Sequence, residues 1–271
     1  MKNVTCIELH KKDYLHIIEH MKVPIVKEYG SWAVFGSSFL AALFAGLMTS
    51  SWKSGQEFSG TTFMTFLGMT FLINAKVPFA SLLRSKIKSA SGESEKENRN
   101  KEHIFWFLIF VLSGLILLIP FLIDGFRYFM AFSLLVITYS IFMSKGKEHH
   151  LLAEINGFAL LTLAAPITYF TVTGDLSMRL YAAVLIFFVA GVIKVRVRIR
   201  KTSAYRTVMI CYCAASVIVF HVLDISIILL MPLFENIVSS IWIRDIKLKT
   251  VGDIELAKAV IFIILTGFLW K

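Results

Sequence analysis

The chain has 271 residues, 57% of them hydrophobic and 17% charged, with 24 Phe, 3 Cys, a net charge of +10 and a mean hydropathy of +0.73. Soluble domains average about 45–50% apolar and about 25% charged residues. A water-soluble globule, a secreted disulfide scaffold and a disordered chain are therefore excluded, and an all-α polytopic membrane bundle remains.

Residues 1–31 form a charged arm, expected on the cytoplasmic side. Within it, Asp13 to Met21 places Tyr14, Leu15, Ile17, Ile18 and Met21 beside polar residues, the pattern of an amphipathic helix lying on a membrane surface. His16 and His20 have i, i+4 spacing but no evident third ligand, so no metal site is expected. A single transmembrane domain is then expected over residues 32–271. Crossing the hydrocarbon takes about 20 apolar residues. Runs of that size fall at 32–50, 60–80, 104–123, 125–143, 151–171, 177–194, 206–223, 225–243 and 253–270, which predicts nine helices. The third and fourth are divided at Ile123-Asp124-Gly125-Phe126, the seventh and eighth at Leu223-Asp224-Ile225. Residues 89–103 (SASGESEKENRNKEH) read as a flexible cytoplasmic loop. Gly30, Gly36, Ala42 and Gly46 offer small residues for close packing of the first span.

The positive charges alternate with the spans. The N-terminal arm and the connections after spans two, four, six and eight hold most of the 28 Lys and Arg. The alternate connections and the C-terminus hold Lys53, Arg127, Arg179 and Lys271. Cytoplasmic loops collect such charge, so the N-terminus is expected inside and the C-terminus outside. The +10 is then a matter of topology and of attraction to anionic lipid. The expected partner is the lipid bilayer, with no nucleic acid, and the expected location is a bacterial cytoplasmic (inner) membrane as a multi-pass protein.

Ionisable and amide side chains inside spans are functional candidates. Glu235 and Asn236 lie mid-span, three residues after Pro232, which removes a backbone donor and bends a helix. Lys76 and Lys258 also fall within spans. A second set gathers by depth at the cytoplasmic ends: Lys27, Glu28 and Trp32; Asn74 and Lys76; Glu154 and Asn156; Lys194, Arg196 and Arg198; Arg244 and Asp245; and Glu255 with Lys258. Acidic and amide groups gain nothing from anionic lipid, so this set suggests a polar pocket open to the cytoplasm. Its surplus of cations suits a phosphate or carboxylate. No Walker loop, nucleophile elbow or H-E-x-x-H sequence occurs, and the sequence assigns no cofactor.

Pro24-x-x-Lys27-Glu28-Tyr29-Gly30-Ser31-Trp32-Ala33 resembles the P-x-E-H-G-A-W opening of YwiC-like membrane proteins, with Tyr29 where the family usually has histidine. Three further stretches fit the same family. They are Glu154-x-Asn156-Gly157 with Ala164-Ala165-Pro166, Lys194-Val195-Arg196-Val197-Arg198, and Arg244 followed by Val251-Gly252-Asp253-Ile254-Glu255. The nine-span arrangement also looks like the UbiA prenyltransferase superfamily. That likeness implies binding or modification of an isoprenoid or other anionic lipid at the cytoplasmic face. The Asp-rich motifs that hold Mg²⁺ in those enzymes are missing at the matching places, Asn74-Ala75-Lys76 and Lys194 to Arg200. An enzyme of this kind would be a membrane transferase without the usual metal motifs. The competing expectation is a small-solute or ion transporter working through the midplane carboxylate Glu235.

Overall fold

The computed structural model describes residues 23–51, 60–90, 97–147, 150–242 and 247–270, and every regular element among them is helical. In chain order these are α1 (Tyr29–Ser51), α2 (Gly60–Ala90), α3 (Glu97–Leu117), α4 (Ile119–Asp124), α5 (Phe126–Ser144), α6 (Leu151–Thr162), α7 (Ala164–Thr173), α8 (Met178–Arg200) and α9 (Ser203–Val222). A 3₁₀ segment (Ile227–Leu233), α10 (Phe234–Ile241) and α11 (Leu248–Leu269) complete the bundle. The expected amphipathic segment, His16 and His20 fall outside the described residues, as do Arg244 and Asp245.

Lipid offers backbone groups no partner, so apolar runs of this length become helices. Seven helical stretches are long and apolar enough to cross a membrane, α6 and α7 counting as one, Leu151–Thr173. The nine expected runs all coincide with helix, but two of them do not meet the same measure. The eighth is a short apolar stretch, Ile227–Ile241, that starts as 3₁₀ and ends as α. The ninth, α11, has full length but carries Asp253, Glu255 and Lys258 in its first half. The helices also reach further into the expected 89–103 loop, α2 ending at Ala90 and α3 starting at Glu97.

The breaks have local causes. α4 begins after a single intervening residue, Leu118, and Pro120 is its second residue, in the first turn where a missing N–H costs nothing. Pro166 cannot donate to the carbonyl one turn earlier, and the chain divides there into α6 and α7. Asp224 adopts a left-handed φ of 55° just past α9, where the chain reverses.

α8 is the central helix. Leu180, Ala183, Val184, Phe187, Val189, Ala190, Ile193 and Val197 are buried on several of its faces, as befits a helix enclosed by others. Phe187 stacks on Phe262 of α11, centroids 4.3 Å apart. α1 crosses α7 on a stripe of Ala41, Ala42 and Ala45, all fully buried, and a side chain at Gly46 would strike Val172. Of the four small residues expected to serve this packing, Ala42 and Gly46 do so, whereas Gly30 and Gly36 have open space beside them. α2 and α3 meet at Gly68 and Gly114, where a β-carbon on either would lie 3.0 Å from the other's carbonyl oxygen. Large apolar side chains such as Ile116, Leu134, Ile218 and Phe268 point outward, as a lipid-facing surface requires.

A four-charge cluster between three helices

The sequence-derived candidates separate into three groups. The first holds the segment before α1 against α2. The backbone N–H of Val26 donates to Asn74 Oδ1 at 3.0 Å, and its carbonyl accepts the Trp32 indole N–H at 2.9 Å. Asn74 Nδ2 donates to the Thr70 carbonyl, so both ends of this buried amide are engaged. Glu28 pairs with Lys76 Nζ at 3.0 Å and accepts from the Ser31 hydroxyl. Partial burial works to raise the Glu28 carboxyl, but the bond and charge of Lys76, with Ser31, outweigh it and hold the group below its ordinary value. Lys27 and Tyr29 are exposed. The family-like opening sequence therefore serves as a strap whose one buried peptide unit, Val26, is satisfied from two helices.

The second group joins α8 to α6. Arg196 reaches Glu154 Oε2 through Nε at 3.0 Å and Nη2 at 2.9 Å. Asn156, nearly buried, donates to the Leu135 carbonyl and the Thr138 hydroxyl of α5. Arg198 is partly buried in the last turn of α8.

The third group lies between α8, α10 and α11. Lys194 bonds Glu235 Oε2 and lies 2.8 Å from Glu255 Oε1. Lys258 lies 3.2 Å from the same Glu235 oxygen and 2.5 Å from the same Glu255 oxygen. Two ammonium groups and two carboxylate oxygens thus alternate around a square. The lysine side chains are 1% and 6% exposed, against 38% for Glu235 and 23% for Glu255. The square is closed on its cationic corners and open at Glu235. Lys258 also donates to Asn236 Oδ1, and Asn236 is fully buried.

Each helix places its members by simple spacing. Glu255 and Lys258 are i, i+3 and share a face of α11. Lys194 and Arg196 are two residues apart on α8, so they point to different neighbours, α10 with α11 on one side and α6 on the other. Glu235 is the second residue of α10, directly after the 3₁₀ segment containing Pro232. Across from Glu255, Gly191 has no side chain, and a β-carbon there would sit 3.3 Å from Glu255 Oε2. The Ser239 and Ser240 hydroxyls both return to the Asn236 carbonyl.

Glu235, Glu255 and Lys194 were separate candidates in the sequence, and the fold brings them together. Lys258 was read as a charge within the last span, opening it together with Glu255, and here it is the fourth corner. The expected cationic surplus at the inner ends is locally cancelled, since Lys76, Lys194, Arg196 and Lys258 each face a carboxylate. Among the described residues no three His, Cys, Asp or Glu lie close enough to hold a metal ion.

A bundle of apolar helices, seven of them long enough to cross a membrane, with outward-facing apolar side chains, defines a multi-pass integral membrane protein. The YwiC-like protein family matches residues 25–169, more than half of the chain, and the chain belongs to that family. The matched part contains the strap and the Glu154–Asn156 stretch, while α8 and the four-charge cluster lie beyond it. No curated protein and no solved structure matches the chain.

Proposed function

We propose that the protein is a small-solute transporter whose working part is the square of Lys194, Glu235, Lys258 and Glu255. The observation that carries this reading is the cluster itself: four ionisable groups, neutral in sum, set between α8, which is long and apolar enough to cross a membrane, and the neighbouring α10 and α11. Intramembrane charges of this kind mark solute and proton pathways. The 3₁₀ segment before Glu235 supports the same reading, because weaker i, i+3 bonding inside a helix marks a hinge. Proton uptake by Glu235, the open corner, would remove its pull on both lysines and loosen α10 from α8 and α11. In this reading the membrane is a bacterial cytoplasmic membrane, with the N-terminus and the cluster's side of α8 facing the cytoplasm, as the charge alternation favours.

The test is proton movement in proteoliposomes holding a pH-sensitive dye and challenged from outside with a polar small-molecule extract of cells. The wild-type chain is expected to change the luminal pH on addition of extract, and Glu235→Gln to abolish that change. No change with wild type, or an equal change with the variant, would refute the reading.

A second reading has its own observation. Arg200 and Lys201 are exposed where α8 turns into α9, with Arg198 and Arg206 partly buried beside them. This cationic turn suits an anionic lipid headgroup or an isoprenoid diphosphate, in the manner of a UbiA-like protein, with Arg196 and Arg198 of the same helix contributing. It ranks second because Arg196 and Lys194 are already neutralised by carboxylates. Mass spectrometry of lipids that co-purify in mild detergent tests it. A specific phosphorylated lipid lost in Arg196→Gln/Arg198→Gln would raise it above the first reading, and an equal lipid content in both would remove it.

A further inference from the structure

Two observations on the square bear on what it would accept. Its charges are balanced, two ammonium groups against two carboxylates, with both lysines almost fully enclosed. Beside it, the Asn236 side chain is fully buried, its Oδ1 accepts from Lys258, and its Nδ2 donates to nothing. Buried amide donors are ordinarily bonded, so this N–H is an acceptor-seeking group at the edge of the charged cluster.

We infer that the guest of this site is a small zwitterion, a molecule with one ammonium and one carboxylate such as an α-amino acid. The inference rests on the transport reading above and names its substrate class. A buried charge left without a partner is heavily penalised, and that penalty selects the guest. Opening one Lys–Glu contact exposes one charge of each sign. A simple anion could take the lysine's place as partner but would leave a glutamate uncompensated. A simple cation would leave a lysine uncompensated. A zwitterion satisfies both, its carboxylate on Lys194 or Lys258 and its ammonium on Glu235, and the sum of charges in the membrane stays at zero. Asn236 Nδ2 then finds its acceptor in the second oxygen of the guest carboxylate. Glu235 is the most exposed corner and is carried on the eight-residue α10 next to the 3₁₀ segment, so it is the corner that opens. Gly191 gives Glu255 Oε2 room on the opposite side.

The experiment uses the full chain in mild detergent and follows its thermal midpoint with each of the twenty standard amino acids and with β-alanine. Propionate, ethylamine and their equimolar mixture serve as single-charge controls. A ligand that binds the folded state alone raises the midpoint in a saturable way. The expected result is saturable stabilisation by at least one amino acid, with none from the three controls. Asn236→Leu is expected to weaken that affinity about tenfold, the loss of one hydrogen bond to a charged group, and Gly191→Ala to weaken it by displacing Glu255. Stabilisation by propionate or ethylamine alone would overturn the inference. So would affinity unchanged in Asn236→Leu. If no amino acid stabilises the protein while the cell extract still moves protons through wild type, the zwitterion falls and the transport reading stands. If neither acts, both fall.

Discussion

Replacing Lys194 by Met removes one corner of the square while nearly preserving side-chain volume. Lys258 then faces both Glu235 and Glu255, and the local charge changes from zero to −1. Lys194 is 1% exposed and its two carboxylate partners are at most 38% exposed, so little solvent screens the excess. Breaking a buried pair by removing one partner costs about 3–5 kcal/mol. Adding Glu255→Gln restores neutrality and leaves Lys258 on Glu235 at 3.2 Å. The double variant should therefore lose less stability than the two single losses combined, by about 1–3 kcal/mol. The assay is reversible unfolding in detergent micelles followed by helical circular dichroism, on wild type, both singles and the double. Additivity within about 0.5 kcal/mol would refute the reasoning, since it would mean that the four groups do not sense one another's charge.

Three further outcomes follow from the rest of the fold. Gly114→Leu forces a side chain into Leu72 and the Gly68 carbonyl, and should lower stability by about 1–3 kcal/mol in the same unfolding assay. Asn74→Ala strands the buried Val26 N–H, at a cost of about 1–3 kcal/mol, while Trp32→Phe frees only the Val26 carbonyl and should cost about 1 kcal/mol; reversal of that order would count against the strap. The carboxyl of Glu28 is held below its ordinary 4.5 by Lys76 and Ser31 against a burial effect of opposite sign. A depressed carboxyl stabilises the fold above the unfolded value and ceases to as pH falls through the folded one. The stability gap between wild type and Glu28→Gln should be present at pH 7 and close below pH 4.5, and a gap that widens on acidification would contradict the pairing.

How much of this was legible beforehand depends on range. Helix positions could be read because lipid allows one local solution for an apolar run of sufficient length, and the divisions at Gly125 and Asp224 sit where polar or flexible residues interrupt such runs. Pro232 announced a broken helix, though not its 3₁₀ form. Which candidates would meet was not legible. Lys194 and Glu235 are 41 residues apart, Glu28 and Lys76 are 48 apart, and nothing periodic links them. The amides at the inner ends were read as part of a polar pocket because they gain nothing from anionic lipid. In the structure Asn74 and Asn156 hydrogen-bond the strap and neighbouring helices, contacts that depend on which backbone groups happen to lie opposite. Arg196 and Lys194 looked like one cationic stretch, yet a two-residue offset on α8 sends them to different carboxylates.

The order of the square's corners along the chain has a bearing on biogenesis. Lys194 leaves the ribosome 41 residues before Glu235, and the α11 corners follow later still. At about 5–20 residues per second, α8 waits about 2–8 seconds or more with its lysine uncompensated. A lysine costs about 2.5–3.5 kcal/mol at the centre of an inserting helix and less toward its end, where Lys194 lies, and the long apolar face of α8 from Leu180 to Ile193 must outweigh that cost on its own. Final seating of that helix is thus deferred until α10 has been made, and a nascent chain arrested before α10 would carry an unneutralised charge on Lys194.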